Sequence, residues 1–244
     1  EKDASGKTNW EDLAGKEEEA ETVEPKEAET AETADSPVAL SVQGIRIEDA
    51  SVSWDDRQAG QKYLLEGVRL VTGALAPGAT VPVDAGVNFT SNKPAMTLKA
   101  ALNAEISTDT ALTVFRVSGL VLNLDAAGEG LPSGGAKLTL EADLVADTGA
   151  DTLALSNLVV TGPAMAATGK VLVATLQSNP VANGNLSIAE TNLKTLASMF
   201  ASPIETTDPV AMTRASGDLT FGFVDGALKL DPLKLTLDDS NLDG

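Results

Sequence analysis

Paired carboxylates are the first groups in this chain whose type and spacing could do chemistry, at Asp55-Asp56 and Asp238-Asp239. Glycoside hydrolysis needs two carboxyl groups flanking one bond. Adjacent residues on a strand point to opposite faces, so neither pair can do this, and both are expected at strand ends, in turns. Asp239-Ser240-Asn241-Leu242-Asp243-Gly244 matches the D-x-N-x-D-G opening of a calcium loop. A calcium loop of that kind is flanked by helices and closed by a bidentate Glu; here a strand leads in, and the sequence ends before the Glu position. The chain has no His and no Cys, which excludes a Ser-His-Asp triad, a Cys-His pair, an imidazole or thiolate zinc site and any disulfide. No catalytic residue, metal site or cofactor is expected, and an enzyme is the least favoured class.

Composition narrows the partners. A formal net charge of −19 over 244 residues argues against nucleic acid, because phosphate binding needs clustered Lys and Arg. It also argues against lying flat on an anionic bilayer. Aromatic residues make up 3% and apolar residues 43%, so the greasy surface is aliphatic, suited to an aliphatic ligand or a plain core rather than to stacked sugars or bases. No apolar run reaches the roughly 18 residues of a membrane-spanning helix. The chain starts at Glu1 with no signal segment and reads as a fragment of something longer. Absence of Cys is compatible with an oxidising compartment.

The elements that would position an aliphatic surface are legible as a recurring pattern: alternating apolar positions, a polar or turn-forming pair, then more alternation. It appears at Ile47-Glu48-Asp49-Ala50, Leu65-Glu66-Gly67-Val68, Val117-Ser118-Gly119-Leu120, Leu155-Ser156-Asn157-Leu158 and Leu230-Asp231-Pro232-Leu233. Period-two alternation predicts strands with one apolar face; an inserted pair predicts a bulge that keeps that face aimed the same way. Strands are predicted at 40–47, 50–55, 63–72, 81–90, 95–106, 111–125, 135–146, 152–161, 166–175, 184–189, 214–224 and 226–237, with Asp225-Gly226 as a two-residue hairpin turn. The short spacings imply antiparallel neighbours. One short helix is expected near residues 190–201, where Leu193, Leu196, Ala197 and Phe200 share a face, Thr191 can cap the start and Pro203 follows the end. It could plug or cover an end of the sheet.

Residues 1–36 hold 13 acidic and 4 basic side chains (−9), against 23 and 13 (−10) in the remainder. Three units are therefore expected: a segment at 1–13, an acidic disordered linker or insert at 14–37, and a β domain at 38–244.

Gly6-Lys7-Thr8-Asn9-Trp10-Glu11-Asp12-Leu13 resembles the dG-x-x-NW-x-dL motif of the AsmA family of bacterial envelope proteins. Ile45 to Asp56 resembles the strand pair that follows it in the family. The ending Leu235-Thr236-Leu237-Asp238-Asp239-Ser240-Asn241-Leu242-Asp243-Gly244 is similar to a recurring family step, a turn between repeats. The helix near 193–200 followed by Asp208-Pro209-Val210-Ala211-Met212 fits the same order. The resemblance implies a periplasmic protein of a Gram-negative bacterium, tethered to the inner membrane by an anchor in the full-length chain. It further implies kinship with TamB, YhdP and the repeating β-groove lipid-transfer proteins, a role in moving phospholipid toward the outer membrane, and no catalytic motif.

The fold expected is mostly β, a curved antiparallel sheet forming an open, taco-like groove. Its lining would be Ile45, Ile47, Val52, Leu65, Val68, Leu70, Val117, Leu120, Leu122, Leu153, Leu155, Leu158, Val160, Phe221, Phe223, Leu228, Leu230, Leu233, Leu235 and Leu237, against phospholipid acyl chains. The same residues would equally build the closed core of a sandwich or barrel, in a structural envelope module with a protein partner at a strand edge. Trp54, with Trp10 one of the two indoles, continues the parity of Ala50 and Val52 and is expected buried with them, with ligand stacking as its rarer role. Arg46, Arg69, Arg116, Lys229 and Lys234 alternate with the apolar set and should face water, a rim role toward lipid phosphate being the minority reading.

Overall fold

The computed structural model describes residues 42–132, 134–200 and 202–244. Predicted features at 1–41, among them the Trp10 motif, the acidic segment and the start of the first strand, lie outside the described residues. So do Ser133 and the last residue of the predicted helix, Ala201.

Twelve strands form one sheet: β1 (Arg46–Asp56), β2 (Gln61–Thr72), β3 (Thr80–Asn92), β4 (Ala95–Thr108), β5 (Val114–Gly128), β6 (Ala136–Asp147), β7 (Thr152–Gly162), β8 (Met165–Ala174), β9 (Val181–Thr191), β10 (Ala215–Val224), β11 (Ala227–Leu237) and β12 (Ser240–Asp243). Their spatial order is their chain order, and every neighbouring pair is antiparallel. The sheet does not close: β1 and β12 are its two edges. It is a meander in which ten of the eleven connections are two to seven residues long, and only the β9–β10 connection, residues 192–214, is longer.

Two predicted strands, 40–47 and 50–55, are one. Glu48 and Asp49, read as a gap between them, are a bulge inside β1: Ile47 faces Leu70 and Ala50 faces Val68, so two residues oppose one. Upstream, Val42 makes only an isolated bridge to Leu75. The inserted pairs in β2, β5, β7 and β11 also sit at shifts of register. In four of the five, the second residue has a left-handed backbone: Asp49 (φ 53°), Gly67 (58°), Gly119 (59°) and Asn157 (51°). Gly, Asn and Asp tolerate that conformation best, which is why these types recur there. In the fifth, Asp231-Pro232, the peptide is cis.

Asp225 (φ 51°) and Gly226 (φ 77°) form the two-residue turn between β10 and β11 with both residues left-handed, as a mirror-image hairpin turn requires. β12 corrects the expected turn between repeats: only Asp238 and Asp239 turn, and Ser240–Asp243 pairs with β11, Leu242 facing Leu235.

The helix is shorter than predicted. α1 spans Leu193–Met199, with Phe200 at its C-terminal cap; Asn192, not Thr191, caps the start, its Oδ1 accepting from the Thr195 N–H at 2.9 Å. Thr191 instead ends β9, its hydroxyl donating to the Ala189 carbonyl. α1 lies in the connection between β9 and β10, and contacts of any extent run only between neighbouring strands.

Candidate functional site

Pairing registers settle which side chains share a face. Starting from Leu122, opposite Leu102 on β4 and Leu140 on β6, the chain of partners runs to both edges. Toward β1 it passes through Ala85, Leu70 and Ile47. Toward β12 it passes through Val160, Ala167, Ile188, Gly217 and Leu235 to Leu242. The bulges hold this parity. Val117 and Leu120 face Leu144 and Ala142, while Leu155 and Leu158 face Val171 and Gly169. All twenty candidate lining residues fall on this one face, Ile45 by its alternation with Ile47.

The opposite face is polar. Arg46, Arg69, Arg116, Lys229 and Lys234 lie on it by the same registers, with Arg46 on Glu48, Arg69 on Asp84 and Lys229 on Asp231. These are exposed pairs, worth little to stability.

No second layer covers the apolar face among the described residues. Val52 is 53% exposed and Leu228 64%, and Ile47, Ile106, Phe115, Leu230 and Leu242 are exposed as well. The buried residues are on this face too, and they are small: Val81, Ser91, Ala104, Ala142, Ala167 and Thr191. Burial confined to one face of a single layer fits a sheet curved toward that face, an open groove. A closed barrel or two-sheet sandwich, the alternative in the sequence, would instead bury Leu and Ile completely; no large side chain among the described residues is fully buried.

Depressions in the surface lie on the polar face, beside the bulges. One, of about 670 Å³, is lined by Val71, Pro82, Asp84, Asn103, Glu105 and Ser118. Another, of about 580 Å³, lies among Ser156, Lys170, Leu172, Asn183, Asn185 and Thr220. Both are shallow and open, formed where short side chains and bulged backbone leave gaps.

The carboxylates that opened the sequence reading have structural work. Asp56 accepts from the Gln58 and Ala59 N–H groups in its turn; Asp55 faces Lys62 at 3.5 Å and Arg57 at 3.9 Å. Asp238 accepts from the N–H groups of Met212, Thr213 and Arg214, fastening the α1 connection to the β11–β12 turn. These bonds, Met212's foremost, hold its carboxyl below the usual aspartate range. Asp239 pairs with Arg214 at 3.0 Å. Asn241, which a calcium loop would use as a ligand, sits in β12 opposite Thr236 and accepts its hydroxyl at 2.9 Å. No group of three or more His, Cys, Asp or Glu side chains could hold a metal among the described residues.

Sequence reasoning missed Asp143. It stands on β6, on the polar face, between the bulges of β5 and β7. Its Oδ1 accepts from Gly119 N–H at 2.7 Å and its Oδ2 from Asn157 Nδ2 at 2.6 Å. The Asn157 bond first and the Gly119 bond second pull its pKa down. The signal available was the repeat itself: a carboxylate on the strand between two bulged ones.

Trp54 is on the apolar face as its parity predicts, but only half-buried. It pairs with Tyr63, whose ring stacks on Phe89 at 6.0 Å. No helix of the described residues is long and apolar enough to cross a membrane. No family model, curated protein or solved structure matches the chain.

Proposed function

We propose that this chain is a lipid-binding groove segment of an AsmA-like protein. It holds phospholipid acyl chains along the apolar face of its sheet and serves phospholipid transfer between the inner and outer membranes from the periplasm. The observation that carries the reading is the continuous apolar face of a twelve-stranded sheet, which no second layer covers among the described residues. A soluble domain rarely leaves so large an apolar surface uncovered unless something apolar occupies it.

Acyl chains suit that surface. They need no specific partner, and burying methylenes at about 0.8 kcal/mol each gives on the order of 10 kcal/mol for one long chain before ordering costs. The scarcity of aromatic residues and the absence of His and Cys also support an aliphatic, non-enzymatic role. Location and membrane tether rest on the motif resemblance. The edges of β1 and β12, which no other strand pairs among the described residues, favour a second reading, a protein partner that adds a strand.

The test is lipid extraction. Protein purified without detergent should yield phospholipid by mass spectrometry, and a Leu120→Asp, Leu158→Asp double variant that still folds should yield none. A lipid-free wild type that also ignores added phospholipid would sink the groove reading and leave the strand-adding partner.

A further inference from the structure

We propose that one corner of the apolar face, at the ends of β1 to β4, seats the phosphate of a phospholipid whose acyl chains continue along the same face; this rests on the lipid reading above.

Register places Trp54, Tyr63, Ser91 and Met96 in one row across β1, β2, β3 and β4. Ser91 is the anomaly in it. Only 5% exposed, its hydroxyl is buried on the apolar face with no hydrogen-bond partner. A buried hydroxyl left unpaired is costly, so Ser91 calls for a polar atom that the described residues do not supply. Trp54 and Tyr63 are the side chains that combine an apolar body with a polar edge, suited to the boundary between acyl chain and head group.

Charge decides which polar atom. Because all pairings are antiparallel, the turns alternate between two ends of the sheet. At the far end, the turns at 73–79, 109–113, 148–151, 175–180 and 225–226 contain Asp109, Asp151 and Asp225 and no Lys or Arg. Those turns offer an anion no cationic side chain. At the near end, two of the cations are committed: Lys194 donates to the Asp208 and Pro209 carbonyls, and Arg214 pairs with Asp239. Lys93, in the β3–β4 turn two residues beyond Ser91, makes no ion pair among the described residues. Its Nζ reaches across the strand ends to the β1–β2 turn, 3.1 Å from where a Cβ on Gly60 would stand. Arg57, in that same turn, is paired with Asp55 at 3.9 Å. In a chain of net charge −19, this corner unites an uncommitted ammonium, an unpaired buried hydroxyl and the aromatic row. A phosphodiester there would accept from the Ser91 hydroxyl and from Lys93.

The experiment is titration of the full chain, below micellar concentrations, with dihexanoyl phosphatidylglycerol and with dihexanoylglycerol, which has the same acyl chains and no phosphate. Wild type should bind the phospholipid about tenfold more tightly, the scale of one charge-assisted hydrogen bond. Lys93→Gln and Ser91→Ala should each erode that preference while leaving dihexanoylglycerol affinity unchanged. Equal affinity of the wild type for both lipids, or a preference that both variants retain, overturns the phosphate seat and spares the groove. Binding of neither lipid overturns the groove together with it. Inorganic phosphate should not compete at millimolar concentration; competition would mean a site for the free ion and overturn the lipid assignment. Lys93 is in a turn, so its variant keeps the test readable if Ser91→Ala fails to fold.

Discussion

Asp143 shows how single residues hold this sheet in shape. A bulge releases a backbone N–H from the ladder, and a neighbouring acceptor must take it; Asp143 does so for Gly119 while its other oxygen takes the Asn157 amide. Asp109 plays the same part in the β4–β5 turn, taking the Thr113 hydroxyl and the Thr113 and Val114 N–H groups. Its pKa is lowered, by the Thr113 hydroxyl most of all. With Asp238, three aspartates have folded-state pKa values below their unfolded ones. Their contribution is therefore present above the unfolded value of about 3.9 and is lost as pH falls through the lowered folded values. Asp143→Asn, which keeps the shape and removes the charge, should lower the melting temperature at pH 7 and shrink the further drop between pH 5 and pH 3. Thermal melts across that range check it; an unchanged acid limb would mean that Asp143 does not hold the bulges.

Strands are shaped by where glycine is required and why. Gly119 has φ 59° and open space around the position of an added Cβ. Gly119→Ala should therefore cost only the left-handed backbone penalty, about 1–2 kcal/mol. Gly128, at φ 141°, would place a Cβ 2.2 Å from the Ala95 carbonyl oxygen and 2.6 Å from Met96 Cα. There the β4–β5 pairing itself must part, so Gly128→Ala should destabilise substantially more. Urea unfolding of the two variants orders them; equal losses would mean that the close approach at Gly128 is not rigid. The inserted pairs in β2, β5, β7 and β11 were readable as bulges because polar, Gly, Asn or Pro steps interrupt a strict alternation inside one predicted strand. The β1 bulge was mistaken for a gap because Glu48-Asp49 looks like a turn when its partner strand is unknown. The α1 cap was misplaced by one residue because Thr191 and Asn192 are both capping types, and only the end of β9 shows which is free to serve.

Across the whole molecule the apolar face is where stability and function separate. Val52 and Leu228 are more than half exposed on it, so they contribute little burial to the fold and much surface to a ligand. The double variant Val52→Lys, Leu228→Lys should keep its unfolding free energy within about 1 kcal/mol of wild type. It should also lose a measurable part of the fluorescence of a hydrophobic dye bound to the native protein. A dye signal unaffected by the change would place the binding surface elsewhere; a collapse in stability would mean that these residues are covered.

Fold class, the antiparallel order, the bulge positions and the shared face of all twenty apolar candidates were set by the sequence. Alternation and turn chemistry are local, and a two-residue insertion preserves parity whatever lies across the strand. The exclusion of thiol and imidazole chemistry followed from composition alone. Whether that face would be sealed or open was decided only by the tertiary structure. A half-buried strand in a sandwich and one in a groove carry the same pattern; the difference is whether a second layer exists, a relation between distant segments that periodicity does not encode. The same holds for Asp143, Ser91 and Lys93. Each is an ordinary residue in the sequence, and its meaning comes from which strand ends and bulges the sheet brings beside it.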